Sequence, residues 1–426
     1  MRSIARDVLE LIFGPPARWS FGVRLWDGAY LGERERPRFV LAIGSEAALR
    51  FIFSPPFDLN PGRAYVDGLI DIEGNVEAAV DTMARAVDGI SRTTAAGVAL
   101  RLMRLPKLRA AGESRGARLR GKVHSPARDA AAIGFHYDQP VAFYRTFLGE
   151  DLVYSCAYYD EGVETLDEAQ RAKIDYTLAK LRLRRGETLL DIGCGWGALV
   201  IRAAQRYGVN ALGITLSRRQ HDEARRRIAA AGLEGRAAVE LLDYRSLGER
   251  TFDKIVSVGM VEHVGRSRLR TYFESALRAL KPGGFFLNHG IAEQNPRRQS
   301  YRVSGFMGRY VFPDGELLPI WSMLEFAEKS GFEVRDVENL REHYARTLRD
   351  WVANLERNRD AAIAATDEHT YRIWRLYMSG SAQGFNRGRM GLFQSLLAKP
   401  DPEGRVPLPS TRRELYRAPS LEILSV

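Results

Sequence analysis

Cysteine is nearly missing from this chain: Cys156 and Cys194 are the only two in 426 residues. Both fall inside motifs rather than at scaffold spacings, which excludes a disulfide-stapled fold and fits a reducing compartment. Long apolar runs are missing too. None approaches the ~18–20 residues that a membrane span needs. The N-terminal decapeptide, Met-Arg-Ser-Ile-Ala-Arg-Asp-Val-Leu-Glu10, carries charge where a leader would be apolar and has no small-residue cleavage site, so no signal peptide is expected. Internal repeats are not seen. Acidic charge is in deficit, with 53 Asp and Glu against 63 Lys and Arg and a net charge of +10. That balance implies attraction to polyanions, either an anionic membrane or nucleic acid, and is equally compatible with a plain basic enzyme. The deficit is sharpest over residues 101–128, where nine Lys or Arg face a single acid, Glu113. This stretch reads as a solvated, partly disordered linker. Facing anionic lipid, each of its cations is worth ~1 kcal/mol, and the two readings are compatible.

What the chain does have is length and apolar content. With 426 residues, 45% of them hydrophobic, it has room for two domains and a large core. Three segments near the N-terminus read as strands. Phe21-Gly-Val-Arg-Leu-Trp-Asp-Gly28 alternates and ends in a hairpin signal, and Arg38–Gly44 and Ala48–Phe53 follow. Ser54-Pro-Pro-Phe57 reads as a turn. Asn75 to about Leu100 has helical periodicity, with Val76, Val80, Met83 and Val87 near one face.

The rest of the chain is organised around Thr188-Leu-Leu-Asp-Ile-Gly-Cys-Gly-Trp-Gly-Ala-Leu199. The apolar run Thr188–Ile192 predicts a buried strand carrying Asp191. Gly193, Gly195 and Gly197 let the backbone turn sharply and approach a ligand closely. Ala198–Ala204 has helical composition. Strand, glycine turn and helix open a nucleotide-binding βαβ unit. The pattern is D-x-G-x-G-x-G rather than the dinucleotide G-x-G-x-x-G, and it resembles the first motif of S-adenosylmethionine (SAM) methyltransferases. Strands are then predicted at Asn210–Thr215, Leu241–Arg245, Phe252–Val258 and Phe285–Ile291, with Lys281-Pro-Gly-Gly284 as a turn. Glu338–Trp351 and a segment from about Tyr371 to Phe393 read as helices. From Lys399 the Pro- and Arg-rich composition suggests an extended or disordered tail.

Upstream and downstream of the glycine turn the motifs become specific: His136-Tyr-Asp138, Phe143-Tyr144, Tyr154-Ser-Cys-Ala-Tyr-Tyr159, Thr165-Leu-Asp-Glu-Ala-Gln-Arg-Ala-Lys173, Gly213-Ile-Thr-Leu-Ser217 with Gln220, and Gly259-Met-Val-Glu-His-Val-Gly265. In order and spacing they resemble the cyclopropane-fatty-acyl-phospholipid synthase family, which includes the mycolic acid cyclopropane synthases. The resemblance runs from about His136 to about Phe393 and continues more weakly through the N-terminal region. It implies an α/β fold, a doubly wound, Rossmann-like class I methyltransferase sheet with a small N-terminal α+β domain. The division it suggests is an accessory, membrane-associating domain with the basic linker at 1–130, a catalytic domain at 131–398 and a tail at 399–426.

The resemblance also implies the chemistry. SAM would be held by Tyr154, Ser155, Asp191, Gly193, Gly195, Gly197, Thr215, Leu216, Gln220, Asp243 and Tyr244. Gln220 would reach a ribose hydroxyl by its amide, Asp243 would accept from the adenine amino group, and Tyr244 would pack nearby. The substrate class is the cis alkene of an unsaturated phospholipid acyl chain. An alkene needs no base to attack the sulfonium methyl, but the resulting carbocation must lose a proton to close a cyclopropane ring. In the family the base is a bound bicarbonate ion. The matching positions here are Cys156, Glu262, His289, Ile291 and Tyr344, with Cys156 and Ile291 offering backbone groups, His289 and Tyr344 donating hydrogen bonds, and Glu262 orienting the ion's hydroxyl. No metal site is implied.

Taken singly, each of these positions has an ordinary structural reading as a buried thiol, a core histidine, a helix cap or packing. Three positions depart from the family pattern. Ser381 stands where many members carry cysteine, and Val261 and Asn288 flank the base set. Methyl-branched or methylene lipid products and small-molecule N-methylation are the neighbouring chemistries. Nucleic-acid methylation lacks both a catalytic N-P-P-Y and an RNA-binding module, so no nucleic-acid partner is expected. A catalytically dead lipid-binding relative is disfavoured by the intact glycine turn and base set. The resemblance further suggests a cytoplasmic enzyme held peripherally at the anionic inner face of the cell membrane, and it allows a homodimer.

Overall fold

The computed structural model describes residues 2–108, 115–295, 302–303 and 305–411. By packing the chain forms two units. The first comprises Met1–Arg118, Val303–Pro313 and Trp351–Gly384, and the second Leu119–Arg302, Asp314–Asp350 and Phe385–Val426. The division therefore falls at Arg118/Leu119 rather than at 130, and it draws two later segments into the first unit. Buried guanidinium contacts tie one of them down. Arg375 donates to the Ile72 carbonyl and the Tyr65 hydroxyl, each at 2.9 Å.

The first unit holds a four-stranded sheet of β1 (Gly22–Arg24), β2 (Tyr30–Gly32), β3 (Phe39–Ile43) and β4 (Ile70–Gly74), in the order β2-β1-β3-β4. The Asp27-Gly28 hairpin joins β1 to β2 as the sequence indicates. Ala48–Phe53, expected as a strand, is instead part of the helix Glu46–Ile52. The Ser45 side chain accepts from the Ala48 amide at 3.0 Å, a cap worth ~0.5–2 kcal/mol. Ala48, Leu49 and Ile52 then share one buried face. The single long helix expected from Asn75 is two, Val76–Gly89 and Arg92–Leu102, because Ser91 caps a new helix. Val87 is exposed rather than on a buried stripe. The expected Ser54–Phe57 turn is a bend between two hydrogen-bonded turns: the Ser54 amide bonds the Phe51 carbonyl before it, and the Leu59 amide bonds the Pro56 carbonyl after it.

The second unit is built on a seven-stranded sheet of β5 (Thr188–Ile192), β6 (Asn210–Thr215), β7 (Ala237–Leu241), β8 (Phe252–Val258), β9 (Leu280–Glu293), β10 (Glu333–Asn339) and β11 (Met390–Ala398). Its order is β10-β11-β9-β8-β5-β6-β7. β5 to β9 are parallel, and β11 runs antiparallel to both β9 and β10. Both faces are buried, so alternate residues of one strand enter opposite cores. Leu189 and Phe285 join one cluster, and Leu190 and Phe286 the other. This is the doubly wound Rossmann-like sheet, with an α+β N-terminal unit, that the sequence implies.

Four boundaries differ from expectation. The strand expected at Leu241–Arg245 ends at Leu241 and gives way to a short 3₁₀ turn, Tyr244–Ser246. Lys281–Gly284 is absorbed into β9 as an irregularity in its pairing with β8. Glu338 lies in a strand, β10, which runs to Asn339 before the helix Arg341–Arg357 begins. The helix Glu368–Asn386 stops short, and the apolar run after Gly388 is β11. The start of the expected tail is anchored: Lys399 Nζ donates to the Leu280 carbonyl at 2.7 Å, and Val406 and Leu408 pack on the core. Residues 412–426 and 109–114, on which the tail and basic-linker readings partly rest, lie outside the described residues.

Candidate active site

Strand order reverses at β5, which has β6 on one side and β8 on the other. Open α/β sheets bind ligands at such a switch, beyond the carboxyl ends of the strands. A cavity opens there. Its floor is the glycine turn after β5, and its walls come from the ends of β6, β7 and β8. Gly193 and Gly195 take φ of +85° and +54°, so the turn needs residues without a Cβ, and a Cβ on Gly195 would meet no protein atom. Gly197 (φ +82°) caps the helix Ala198–Tyr207 and is the one SAM-site residue expected from the sequence that does not line the cavity. Tyr154, Ser155, Asp191, Thr215, Leu216, Gln220, Asp243 and Tyr244 all do.

Their hydrogen bonds say what each has left to offer. Gln220 accepts from the Thr215 hydroxyl at 2.8 Å, which orients its amide NH₂ as the remaining donor. Asp243 is more committed than the sequence suggested. It caps the 3₁₀ turn through the Arg245 amide at 2.9 Å and holds the Arg245 guanidinium at 2.8 and 2.6 Å. Arg245 also reaches Asp129 at 3.1 Å and lies over the Tyr244 ring. Asp243 is therefore a fixed carboxylate whose remaining lone pairs alone are free to accept.

Beneath the turn lies a charge that sequence reasoning missed. Lys173 is 2% exposed and donates to Ser155 Oγ at 2.9 Å. Burial pulls its amine down to about 8, and burial pushes Asp191 up to about 7, each charge partly restoring the other. The signal was available: Gln170, Lys173, Ile174 and Thr177 form the inward stripe of the helix Leu166–Lys180, an odd place for an ammonium. Three further residues line the cavity: Trp196 and His263 lie inside the quoted motifs but were given no role there, and Asp129 lies outside them. Burial holds His263 down at about 4, so its ring is neutral.

The expected base residues form a second cluster, outside that lining and along the carboxyl ends of β9 and its neighbours. Cys156, Glu262, His289 and Tyr344 are all buried. Glu262 Oε1 accepts from the Ile291 amide at 2.7 Å. Gly290 makes this approach feasible, because a Cβ there would lie 2.3 Å from Val261 Cγ1. Cys156 Sγ lies 3.1 Å from the Ala157 carbonyl and 3.9 Å from that of Leu340, to which the Tyr344 amide donates at 3.2 Å. The Leu340 amide in turn bonds the Leu392 carbonyl, and Leu392 pairs with Ile291. In this structure the Ile291 amide, expected to offer its backbone to the ion, is bonded to Glu262. Burial pushes the Cys156 thiol well up, so it is no thiolate nucleophile. Burial pushes Glu262 up to about 7 and holds His289 far below the usual histidine range. Glu262 Oε2 and His289 Nε2 are buried and make no hydrogen bond among the described residues.

The departures from the family pattern have plain packing roles. Val261 is buried against Gly290, and Asn288 Oδ1 accepts from the Tyr272 hydroxyl at 2.8 Å. Ser381 lies on the helix Glu368–Asn386, within the first packing unit.

Comparison with known proteins agrees with this geometry. The family profile described as mycolic acid cyclopropane synthetase matches residues 124–395. A probable fatty acid methyltransferase of Pseudomonas putida is 39% identical over 411 residues, covering 95% of this chain and 99% of the relative. Cyclopropane mycolic acid synthase 1 of Mycobacterium tuberculosis is 38% identical over 274 residues, 62% of this chain and 95% of the relative. Among solved structures, the mycolic acid cyclopropane synthase CmaA1 complexed with SAH and CTAB superposes with a TM-score of 0.60 at 36% identity, over 63% of this chain and 97% of that one. The cyclopropane synthase MmaA2 from Mycobacterium tuberculosis also gives a TM-score of 0.60, at 35% identity, covering 63% and 98%. The chain belongs to the mycolic acid cyclopropane synthetase family and is an enzyme of the SAM-dependent methyltransferase class.

Proposed function

We propose that the protein converts the cis double bond of an unsaturated phospholipid acyl chain to a cyclopropane ring, with bicarbonate as the base. The observation that carries this reading is a pair of buried atoms without a hydrogen-bond partner among the described residues, Glu262 Oε2 and His289 Nε2, on the β9 side of the SAM cavity. Bicarbonate has one hydroxyl and two acceptor oxygens, and that chemistry suits a carboxylate acceptor beside an imidazole N–H and a tyrosine hydroxyl. Glu262, His289 and Tyr344 would hold the ion, and Cys156 would line the site with its backbone. SAM would rest on the glycine turn, with Gln220 donating to a ribose hydroxyl and Asp243 accepting at the adenine edge.

When bound, SAM supplies an electrophilic methyl group and bicarbonate a base. The side chains do the rest. The aromatic wall of Tyr137, Tyr154 and Tyr244 lines an apolar cavity that favours a diffuse cation over water. Glu262, anchored at Ile291, fixes the direction in which a proton leaves.

The lipid-surface part of the proposal rests on the first unit. The helix Arg2–Phe13 packs on both Val76–Gly89 and Arg92–Leu102, and Leu11, Val87, Leu100 and Met103 are exposed. Arg104 and Lys107, exposed beside them, suit anionic headgroups. The cationic contribution is narrower than 101–128 as a whole, because Arg115 pairs with Asp367 at 2.7 Å and Arg128 with Asp314 at 2.8 Å.

Lipid mass spectrometry of cells expressing the protein tests the product. Cyclopropanation adds one CH₂ and leaves the chain resistant to ozonolysis. A methylene product adds the same mass but stays ozonolysis-sensitive, and a methyl-branched product differs in hydrogen count. Either outcome, or unmodified phospholipid, contradicts the proposal.

A further inference from the structure

His289 belongs to a hydrogen-bonded line that starts well away from the cofactor cavity. Gln394 of β11 lies directly opposite His289 of β9 in the antiparallel register. The helix Leu166–Lys180 covers that face with Thr177 and Lys180. Lys180 Nζ, on a residue 3% exposed, donates to Gln394 Oε1 at 2.8 Å and also to Glu338 Oε2, which takes the Tyr176 hydroxyl at 2.9 Å. An ammonium only donates, so the carbonyl end of Gln394 must face it. The amide nitrogen is thereby turned to His289 Nδ1 and to Thr177 Oγ1, both at 3.2 Å. Thr177 spends its hydroxyl proton on the Lys173 carbonyl at 2.8 Å, so its oxygen accepts here.

This fixes the imidazole. Nδ1 receives a proton donor and is the acceptor nitrogen. Burial, with Lys173 and Lys180 nearby, keeps the ring neutral. A neutral ring whose Nδ1 accepts carries its single proton on Nε2. Nε2 is the atom that is buried without a partner among the described residues. In the other tautomer a lone pair would stand at that point and repel an anion.

We propose that Lys180 and Gln394 are positioning residues that lock His289 as the Nε2–H tautomer, so that it donates into the base site. They act through His289 and touch neither the cofactor nor the reacting carbons. The proposal rests on the base-site reading for its catalytic consequence, while the lock itself can be observed without turnover.

The test is nitrogen NMR on protein carrying ¹⁵N-histidine, with His289 assigned by its loss in His289→Gln. We expect the wild type to show the Nε2–H pattern. Gln394→Glu offers only acceptor oxygens, so the proton should move to Nδ1, with Lys180 still compensating the new carboxylate. Turnover should then fall about 10–100-fold, the usual cost of an orienting partner, at unchanged SAM affinity. Lys180→Met, which leaves Gln394 unoriented, should give mixed tautomers. An Nδ1–H wild type overturns the proposal even if no variant folds. A switched tautomer with unchanged turnover overturns it too. If the tautomer switches and turnover falls, but the wild type ignores bicarbonate, the lock is supported and the bicarbonate reading fails.

Discussion

Glu262 gives one carboxylate oxygen to the Ile291 amide at 2.7 Å, and its other oxygen is buried and has no hydrogen-bond partner among the described residues. The first bond sets the direction of the second oxygen, because a carboxylate anchored on a strand backbone cannot rotate. Burial of that second oxygen without such a partner penalises the charged form, which has a consequence for stability. Burial raises the folded pKa of Glu262 from an ordinary 4.5 to about 7. A group whose folded pKa is raised contributes stability below its unfolded pKa and loses it as pH rises through the folded one. Glu262→Gln stays neutral throughout. We expect its stability relative to wild type to rise across pH 4.5 to 7, by at most roughly 3 kcal/mol, and its melting temperature to rise with it. Asp191 titrates in the same window but is present in both proteins. Thermal melts at pH 5 and pH 8 check this, and a constant offset would show that Glu262 is not ionised by burial-limited titration.

The glycine turn carries a second expectation. A side chain on Gly195 would meet open cavity rather than protein, and its φ of +54° strains any L-residue by ~1–2 kcal/mol. Gly195→Val should therefore fold with a modest loss of stability and bind no SAM in calorimetry. Retained affinity would place the cofactor elsewhere.

Arg245 was not picked out by sequence, yet it clamps Asp243 through two guanidinium bonds. Arg245→Met leaves that carboxylate free to turn away from the adenine edge. Loss of one charge-assisted hydrogen bond, ~1.5–3 kcal/mol, corresponds to SAM affinity falling at least tenfold. Unchanged affinity would mean that Asp243 does not face the adenine.

The exposed Leu100 and Met103 lie next to Arg104 and Lys107. Vesicle sedimentation should show binding that needs anionic lipid, weakens with salt as charges are screened over ~8–10 Å, and drops sharply in Leu100→Glu/Met103→Glu. Equal binding to neutral vesicles would contradict a charge-assisted surface.

The parallel half of the sheet was legible because its strands are mostly buried, mostly apolar runs ending in glycine or polar turns: Thr188–Ile192, Asn210–Thr215 and Phe252–Val258 appear at their expected bounds. The misread segments were those where local composition competes with tertiary context. Ala48–Phe53 is rich in strand formers, but the Ser45 cap and a helical buried face prevail. Met390–Ala398 is apolar enough for either element, and only its slot between β9 and β10 makes it a strand. Family pattern named the residues that the fold brings to the cavity and to the β9 cluster, whatever their roles. Lys173 and Arg245 stood in quoted segments without a role, and Gln394 in none, because each acts on another side chain brought to it by the fold.

The bicarbonate assignment is the centre of the functional reading. Turnover should be measured for wild type and Glu262→Gln in bicarbonate-free and bicarbonate-supplemented buffer. We expect the wild type to slow strongly on depletion and to recover on supplementation. Glu262→Gln should bind SAM normally, turn over about 10²–10⁴-fold more slowly, and respond little to bicarbonate. A wild type indifferent to bicarbonate would mean that a side chain takes the proton or that the cation leaves by another route, and the cyclopropanation reading would not stand.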